Sequence, residues 1–320
     1  MPRKSFGPTA LALIAALLAG CSGADTDGFA NSGNGSGGKH VARFVQQPWS
    51  DLVVETKIAT QVLDRLGYQT SAQEVSVPLA GQALSTGQAD AYLGNWWPSQ
   101  EPVFGKLLGD KKVEVAGTLL TGTEYAPAVP GYVTDKLGVR SLADLDKHAD
   151  AFGREILGIE PGTPGNKIIS GAIAKNAYGL GDWKVVQSST EAMLTEVTRR
   201  AAKQQPVVFL GWSPHWMVPE FKLNFLDDPK RVWPGAGEIR VLTRQSLATD
   251  DPNLYRFLSQ IRVEADTASQ WISSVDKEKK PAETVAQDWI RANPDVLRTW
   301  LDGVTSADGK PAADVVIGKG

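Results

Sequence analysis

Cysteine and histidine are scarce in this chain and a net positive charge is absent, and each of these features excludes a class of function. The 320 residues include one Cys and three isolated His, so an internal disulfide is impossible and no Cys/His metal motif is present. The formal net charge of −3 leaves no basic surface of the kind that binds nucleic acids. A Gly-x-Ser-x-Gly nucleophile motif and a phosphate-binding loop are also missing. We therefore expect no metal, no cofactor and no nucleic-acid partner.

The start of the chain has the features of an exported lipoprotein. A basic start precedes an apolar stretch, residues 9–19, that is too short to span a bilayer. The sequence Leu-Ala-Gly-Cys that ends at Cys21 resembles the bacterial lipobox, in which the Cys receives a diacylglycerol. We predict a lipoprotein signal peptide over residues 1–20, and the lipidated Cys with a flexible Gly/Ser-rich linker over residues 21–39. The alternative is an ordinary signal peptide with an unrelated Cys.

The rest of the chain, about 280 residues, is long enough for two lobes and shows strands that alternate with helices. Strands are predicted at residues 41–45, 74–77, 89–93, 155–159, 184–186 and 206–210. Helices are predicted from residues 51, 79, 141, 167 and 188, and throughout the stretch after residue 253. Two such strand–helix sets indicate an α/β protein of two lobes, each a mainly parallel sheet flanked by helices.

Local signals mark two of the helix starts. Asp51 stands where an N-cap is expected, ahead of apolar residues that recur every four positions, and Gly67 supplies the stop. Ser188 with Glu191 matches a capping box for the helix that ends near residue 203. Both segments are therefore predicted to begin at these polar residues.

Four aromatic residues stand in short Gly/Pro-containing stretches, three of them after predicted buried strands. They are Trp49, Trp96, Tyr125 and Trp212. Ligands of open α/β sheets bind at the ends of strands, and several rings around one point form a cage for a cation without hydrogen-bond donors. The pattern therefore indicates capture of a quaternary ammonium compound. The other Trp residues are interpreted as core packing: Trp183, Trp216, Trp233, Trp271, Trp289 and Trp300.

These aromatic stretches and two further motifs resemble the glycine betaine/choline substrate-binding proteins of ABC importers. The matching motifs are Pro-Trp-Ser-Asp at 48–51, Gly-Asn-Trp-Trp-Pro at 94–98, Gly-Ile-Glu-Pro-Gly at 158–162 and Gly-Trp-Ser-Pro-His-Trp-Met at 211–217. The resemblance implies a two-lobed periplasmic-binding-protein fold, type II-like, that closes on its ligand. It also implies delivery to a permease with two ATPase subunits, from a position outside the cytoplasm. Lobe 1 is predicted to comprise residues 40–122 plus 235–320, and lobe 2 residues 123–234.

The resemblance also assigns ligand-binding residues. Its aromatic box corresponds to Trp49, Trp96, Tyr125 and Trp212. Trp96 is preferred to Trp97, because the family pattern is Trp, any residue, Pro. Asp51 matches a position that approaches the ligand's hydroxyl end in choline-type relatives, and His215 matches one that holds a carboxylate in betaine-type relatives. Thr163 replaces the Asn of choline-type relatives; it can still donate a hydrogen bond but has a shorter reach. Because Asp51 and His215 are both present, the choice between choline and betaine stays open.

Two other functions compete with quaternary amine binding. A sugar receptor also uses Trp as a stacking platform, but it adds many polar partners for hydroxyls, of which these motifs carry few. A glycoside hydrolase would need two suitably spaced carboxylates, and Asp and Glu are plentiful here. We expect a binding protein rather than an enzyme, acting as a monomer and attached to the membrane through Cys21.

Overall fold

The computed structural model describes residues 40–318, which form nine strands and fourteen α-helices with three short 3-10 turns. The strands are β1 (Val41–Gln46), β2 (Gln69–Glu74), β3 (Ala91–Trp97), β4 (Val113–Val129), β5 (Glu155–Leu157), β6 (Lys184–Val186), β7 (Phe209–Ser213), β8 (Asn224–Phe225) and β9 (Gly237–Arg244). The helices are α1 (Ser50–Arg65), α2 (Val77–Ser85), α3 (Glu101–Gly109), α4 (Gly131–Leu137), α5 (Ala149–Phe152), α6 (Pro164–Ala174), α7 (Thr190–Ala202), α8 (Met217–Phe221), α9 (Leu247–Asp250), α10 (Pro252–Gln260), α11 (Ala265–Asp276), α12 (Ala282–Ala292), α13 (Pro294–Trp300) and α14 (Ala312–Val316). This is the predicted α/β class.

The strands follow one order, β2-β1-β3-β9-β4-β7-β5-β6, with β8 paired to β4. The pairs at both ends are parallel: β1 with β2 and β3, and β5 with β6 and β7. The pairs in the middle, made by β4 and β9, are antiparallel. The sheet is therefore mixed rather than mainly parallel, because these two long central strands return between the two parallel groups.

Strand β4 passes from one parallel group to the other. It pairs with β9 from Val113 to Thr123, and with β7 from Glu124 to Ala128. The β4–β9 register shifts at three places, the last of them at Gly122, which has φ +73. Such bulges bend a strand and increase its twist. The change of partner falls at the predicted lobe boundary, although the boundaries themselves stay a prediction.

Helix α1 differs from the prediction at its start. Val54, Ile58 and Val62 are buried as the four-residue spacing predicts, and the helix gives way to Gly67 with φ +90. Its first residue, however, is Ser50, and Trp49 occupies the N-cap position without a side-chain cap. Asp51 as N-cap is therefore wrong: the residue lies in the first turn, and its side chain is buried. The helix packs against α11 and α12.

Several other elements are displaced from their predicted positions, among them the second strand and helix α7. The second strand covers Gln69–Glu74 rather than residues 74–77, because β2 is a polar edge strand without a buried face to detect. Helix α7 begins one residue later than predicted: Ser189, not Ser188, is the N-cap, and its hydroxyl accepts from the Ala192 N–H at 3.1 Å.

The predicted signal peptide, Cys21 and the whole of the predicted linker lie outside the described residues. Within residues 40–318, every helix falls short of the length and apolar character that crossing a bilayer requires. The same part of the chain holds no cluster of three or more His, Cys, Asp or Glu side chains suited to a metal ion.

Candidate functional site

The four predicted aromatic residues meet at one place. Tyr125 of β4 and Trp212 of β7 are directly paired across two antiparallel strands, with ring centroids 6.2 Å apart. Trp96, near the end of β3, approaches Tyr125 from the other side at 6.1 Å. Trp49 joins them from the start of α1. The sheet thus brings together rings that are far apart in sequence.

These rings line a cavity of about 450 Å³, including the part that opens to solvent. Its lining residues are Trp49, Asp51, Trp96, Ser99, Gln100, Tyr125, Ile159, Thr163, Pro164, Gly165 and Trp212. Six of the seven predicted ligand-binding residues are therefore on its wall. The seventh, His215, lines an adjoining cavity that shares Trp49, Asp51 and Trp212. Among the described residues lining the aromatic cavity, Asp51 is the only Asp, Glu, Lys, Arg or His.

Asp51 is buried, and its surroundings weaken its acidity. Its pKa is raised from 3.8 to about 6, mainly by burial and also by the nearby charge of Asp276, against backbone hydrogen bonds that lower it. One helical turn on, Glu55 is also buried, and burial together with the Asp51 charge raises its pKa well above the usual value. A bound cation would offset the cost of ionising Asp51 in this setting.

A buried hydrogen-bond network stands behind the cavity. Gln100, which lines the cavity, donates to the Gly94 carbonyl at 3.0 Å and accepts from Asn95 at 3.1 Å. The Tyr92 hydroxyl donates to Gln47 at 2.7 Å and contacts Gln100. These residues fix the strand end that carries Trp96. From the sequence, Asn95 and Gln100 stand out only as possible partners for the hydroxyls of a sugar, and Gln47 and Tyr92 do not stand out, since buried polar groups leave no periodic signal.

Two hydroxyl groups on the cavity wall have no hydrogen-bond partner among the described residues: those of Thr163 and Tyr125. An unpaired buried hydroxyl is costly, so both are available to a polar part of a ligand. Burial raises the pKa of Tyr125, and the Glu160 charge adds to this, so the phenol stays protonated. Gly165 lies against the Tyr125 ring, and a Cβ there would come within 2.0 Å of the hydroxyl oxygen.

Trp49 is held by a hydrogen bond to Glu160, a residue outside the cavity lining. Its indole N–H donates to Glu160 Oε2 at 3.1 Å, and the Glu160 carboxylate also accepts from the Thr190 N–H and hydroxyl. From the sequence, Glu160 belongs to the family motif at 158–162, but no role for its side chain is predicted. Its contact with Trp49 joins residues 111 positions apart, which no local pattern indicates.

His215 is a neutral side chain beside the site. Its pKa is lowered to about 3, mainly by burial and also by the charge of Lys277. Its Nδ1 accepts from the Met217 N–H at 3.1 Å, which leaves the proton on Nε2. That nitrogen lies 3.7 Å from Asp276 Oδ2, too far for a hydrogen bond, and no ion pair forms because the ring is neutral. His215 therefore retains one donor for a group in the adjoining cavity.

Two other Trp residues, Trp97 and Trp233, do not line the aromatic cavity. Trp97 lies outside the cavity, with the Arg240 guanidinium 4.4 Å from its ring centroid. Trp233, interpreted as core, packs edge-on against Tyr125 at 5.1 Å and donates its indole N–H to the Tyr125 carbonyl. It is buried as expected, but it also supports the cavity wall from behind.

The sheet and the cavity at its strand ends define the class of two-lobed periplasmic substrate-binding proteins. A choline-binding protein of an ABC transporter, solved with choline, has a TM-score of 0.83 and 31% identity over 86% of this chain and 96% of its own. Lactococcal OpuAC, closed on glycine betaine, has a TM-score of 0.74 and 25% identity over 82% of this chain and 99% of its own.

The family follows from the match of residues 43–292 to the model "Substrate binding domain of ABC-type glycine betaine transport system". The chain belongs to this family, whose members are transport proteins and not enzymes. A curated relative is the glycine betaine/carnitine transport binding protein GbuC of Listeria monocytogenes serotype 1/2a (strain 10403S), 38% identical over 134 residues. That alignment covers 41% of this chain and 44% of the relative's length.

Proposed function

We propose that this protein captures a quaternary ammonium compound, choline or glycine betaine, in the aromatic cavity and delivers it to the permease of an ABC importer. The observation that carries the proposal is the meeting of four aromatic rings in one cavity, where Asp51 is the only carboxyl-bearing or basic side chain among the described lining residues. The two structural neighbours described above were solved with choline and with glycine betaine, which supports the same ligands here.

The chemistry of a trimethylammonium group matches this wall. The group has a permanent charge, carries methyl groups and offers no N–H, so polar acceptors in a dry pocket would gain no hydrogen bond from it. Aromatic faces attract the cation through their quadrupole, each contributing about 1–2 kcal/mol when desolvated. Four faces together with methyl burial reach the scale of ~8 kcal/mol that a micromolar ligand requires.

The charge of the wall favours a ligand with net positive charge. Asp51 attracts choline, but it opposes the carboxylate of the zwitterion glycine betaine if that group lies nearby. Thr163 and the N-terminus of α6, which begins at the cavity, offer donors for such a carboxylate. We therefore propose choline as the preferred ligand and glycine betaine as the weaker one.

A sugar remains the alternative ligand. Its hydroxyls need many polar partners, and beyond Asp51 the side chains available on the described wall are those of Ser99, Gln100, Tyr125 and Thr163. Gln100 is already engaged with the backbone and with Asn95. The small polar share of this wall favours the quaternary amine.

The remaining parts of the proposal concern location and partners. The lipobox-like sequence supports a diacylglycerol anchor at Cys21, which would hold the domain outside the cytoplasm at a membrane face. Family membership supports a permease with two ATPase subunits as the partner. We propose that the protein binds its ligand as a monomer.

Calorimetric titration of the full-length protein with choline, glycine betaine and a disaccharide tests the ligand class. Binding of choline, weaker binding of glycine betaine and no binding of the disaccharide are expected. Trp96→Ala and Trp212→Ala should each weaken choline binding at least tenfold, about 1.4 kcal/mol, because each removes one face of the cavity. Trp289→Phe is the control, since Trp289 packs between Trp271 and Trp300. Unchanged affinity in both folded Ala variants would contradict the cage.

A further inference from the structure

One hydrogen bond joins two walls of the aromatic cavity. Trp49 stands just before α1, whereas Glu160 follows β5 at the other end of the sheet. The Trp49 indole N–H donates to Glu160 Oε2 at 3.1 Å. Trp49 lines the cavity but Glu160 does not, although its neighbour Ile159 does. Glu160 therefore acts on the aromatic cavity through the Trp49 indole, to which it is hydrogen-bonded.

Glu160 is itself held in one orientation. Its Oε1 accepts from the backbone N–H of Thr190 at 2.7 Å, and its Oε2 accepts from the Thr190 hydroxyl at 3.0 Å. Thr190 is the first residue of α7, and a carboxylate at a helix N-terminus is stabilised by the unpaired N–H groups and the helix dipole. Three donors thus converge on one half-buried carboxylate, which fixes the direction of the indole N–H.

The charge of Glu160 also acts on Tyr125, which lines the cavity. It is the second cause, after burial, of the raised Tyr125 pKa, which places the carboxylate within electrostatic range of that ring. A negative charge at the indole N–H polarises the Trp49 ring so that its face becomes more negative. A more negative face attracts a cation more strongly.

We propose that Glu160 is a positioning residue for quaternary amine binding: it orients and polarises Trp49 and fastens α1 to the start of α7 across the cavity. This inference rests on the proposed function. Since Trp49 belongs to predicted lobe 1 and Glu160 to predicted lobe 2, the bond also favours the arrangement in which the rings surround the ligand.

The substitution Glu160→Gln tests the role at constant size. In Gln an NH₂ group replaces one of the two carboxylate oxygens, so the acceptor for the Thr190 N–H, at Oε1, and the acceptor for the indole N–H, at Oε2, cannot both be kept, and the side chain carries no charge. Choline binding should become about tenfold weaker. The control is Glu191→Gln, which removes an exposed carboxylate beside Thr190 that has no hydrogen bond to Trp49 in the described chain; its effect should be under twofold.

A double-mutant cycle separates positioning from general support. Trp49→Phe keeps a ring but removes the N–H, so adding Glu160→Gln should weaken binding little more than Trp49→Phe alone. With Trp212→Phe, whose indole has no hydrogen bond to Glu160 within residues 40–318, the losses should add. If Glu160→Gln does not fold, Thr190→Val replaces it, since it removes one donor to the same carboxylate, and about threefold weaker binding is expected.

A measurement without ligand makes the two proposals distinguishable. In the ¹⁵N-labelled free protein, the indole N–H resonance of Trp49, assigned by its loss in Trp49→Phe, should move upfield in Glu160→Gln. If the wild type binds no quaternary amine, the proposed function fails whatever this resonance does. Where the wild type does bind choline, two results would overturn the role of Glu160. The first is that Glu160→Gln, or Thr190→Val in its place, neither weakens binding nor moves the resonance. The second is that the losses in the Trp49 cycle are additive.

Discussion

Acidification should weaken choline binding through Asp51. With a pKa of about 6, Asp51 is about 90% ionised at pH 7 and about 10% ionised at pH 5. A permanent cation binds the ionised form, so its apparent affinity should fall about tenfold over this interval and change little above pH 7. His215 does not titrate in this range, because its pKa is about 3. Glycine betaine should show a smaller fall, since its own carboxylate is repelled by ionised Asp51.

Calorimetric titration with choline at pH 5, 6 and 7 measures this slope. Asp51→Asn should lower affinity at pH 7 by about tenfold or more and abolish the slope. Glu55→Gln is the matched control, because it removes the neighbouring buried carboxyl, which does not line the cavity, and should leave the slope in place. An affinity that is constant from pH 5 to 7, or a slope that survives in Asp51→Asn, would refute the assignment.

The same residue links binding to stability. The folded pKa of Asp51 lies above its ordinary value of 3.8, so the stabilising effect of its proton is complete below pH 3.8 and lost as the pH rises through 6. At pH 7 the empty protein therefore carries a cost of up to about 3 kcal/mol from the ionised side chain. Thermal unfolding should accordingly show Asp51→Asn to be more stable than wild type at pH 7 without ligand.

Two further predictions concern the cavity wall and the anchor. Gly165→Ala should weaken choline binding more than tenfold and lower the melting temperature, because the added Cβ collides with the Tyr125 hydroxyl. Gly171→Ala in the same helix has open space and should stabilise by about 1 kcal/mol with normal binding; equal behaviour of the two variants would contradict this reading. Cys21→Ser should shift the protein from the membrane fraction to the soluble fraction on cell fractionation, and continued membrane partition would show that Cys21 is not the anchor.

The ring positions could be predicted because each stands in a local motif at a strand end. Trp96 and Trp212 lie near the ends of the apolar strands β3 and β7, and that arrangement is visible without knowledge of the fold. The family resemblance then added Asp51 and Thr163, which are polar residues that sequence patterns alone do not single out. The structure places both on the cavity wall.

The long central strands could not be predicted in the same way. In β4, Gly117 and Gly122 interrupt the sequence, and three register shifts break the alternation of buried and exposed side chains. Contacts between distant segments were also invisible: Glu160 with Trp49, and Gly165 with Tyr125. These depend on how the two parallel groups of strands are joined, which no local pattern encodes.

The three shifts along β4 decide which way its later side chains face. Each shift inserts one residue against β9, between Val115 and Gly117, between Thr118 and Leu120, and between Thr121 and Thr123. Since side chains alternate with a period of two, an odd number of insertions exchanges the two faces of everything downstream. The inward orientation of the Tyr125 phenol thus depends on the odd number of these insertions. Adding or removing one residue in this part of β4 would turn the ring away from the cavity, whereas adding or removing two would keep it there.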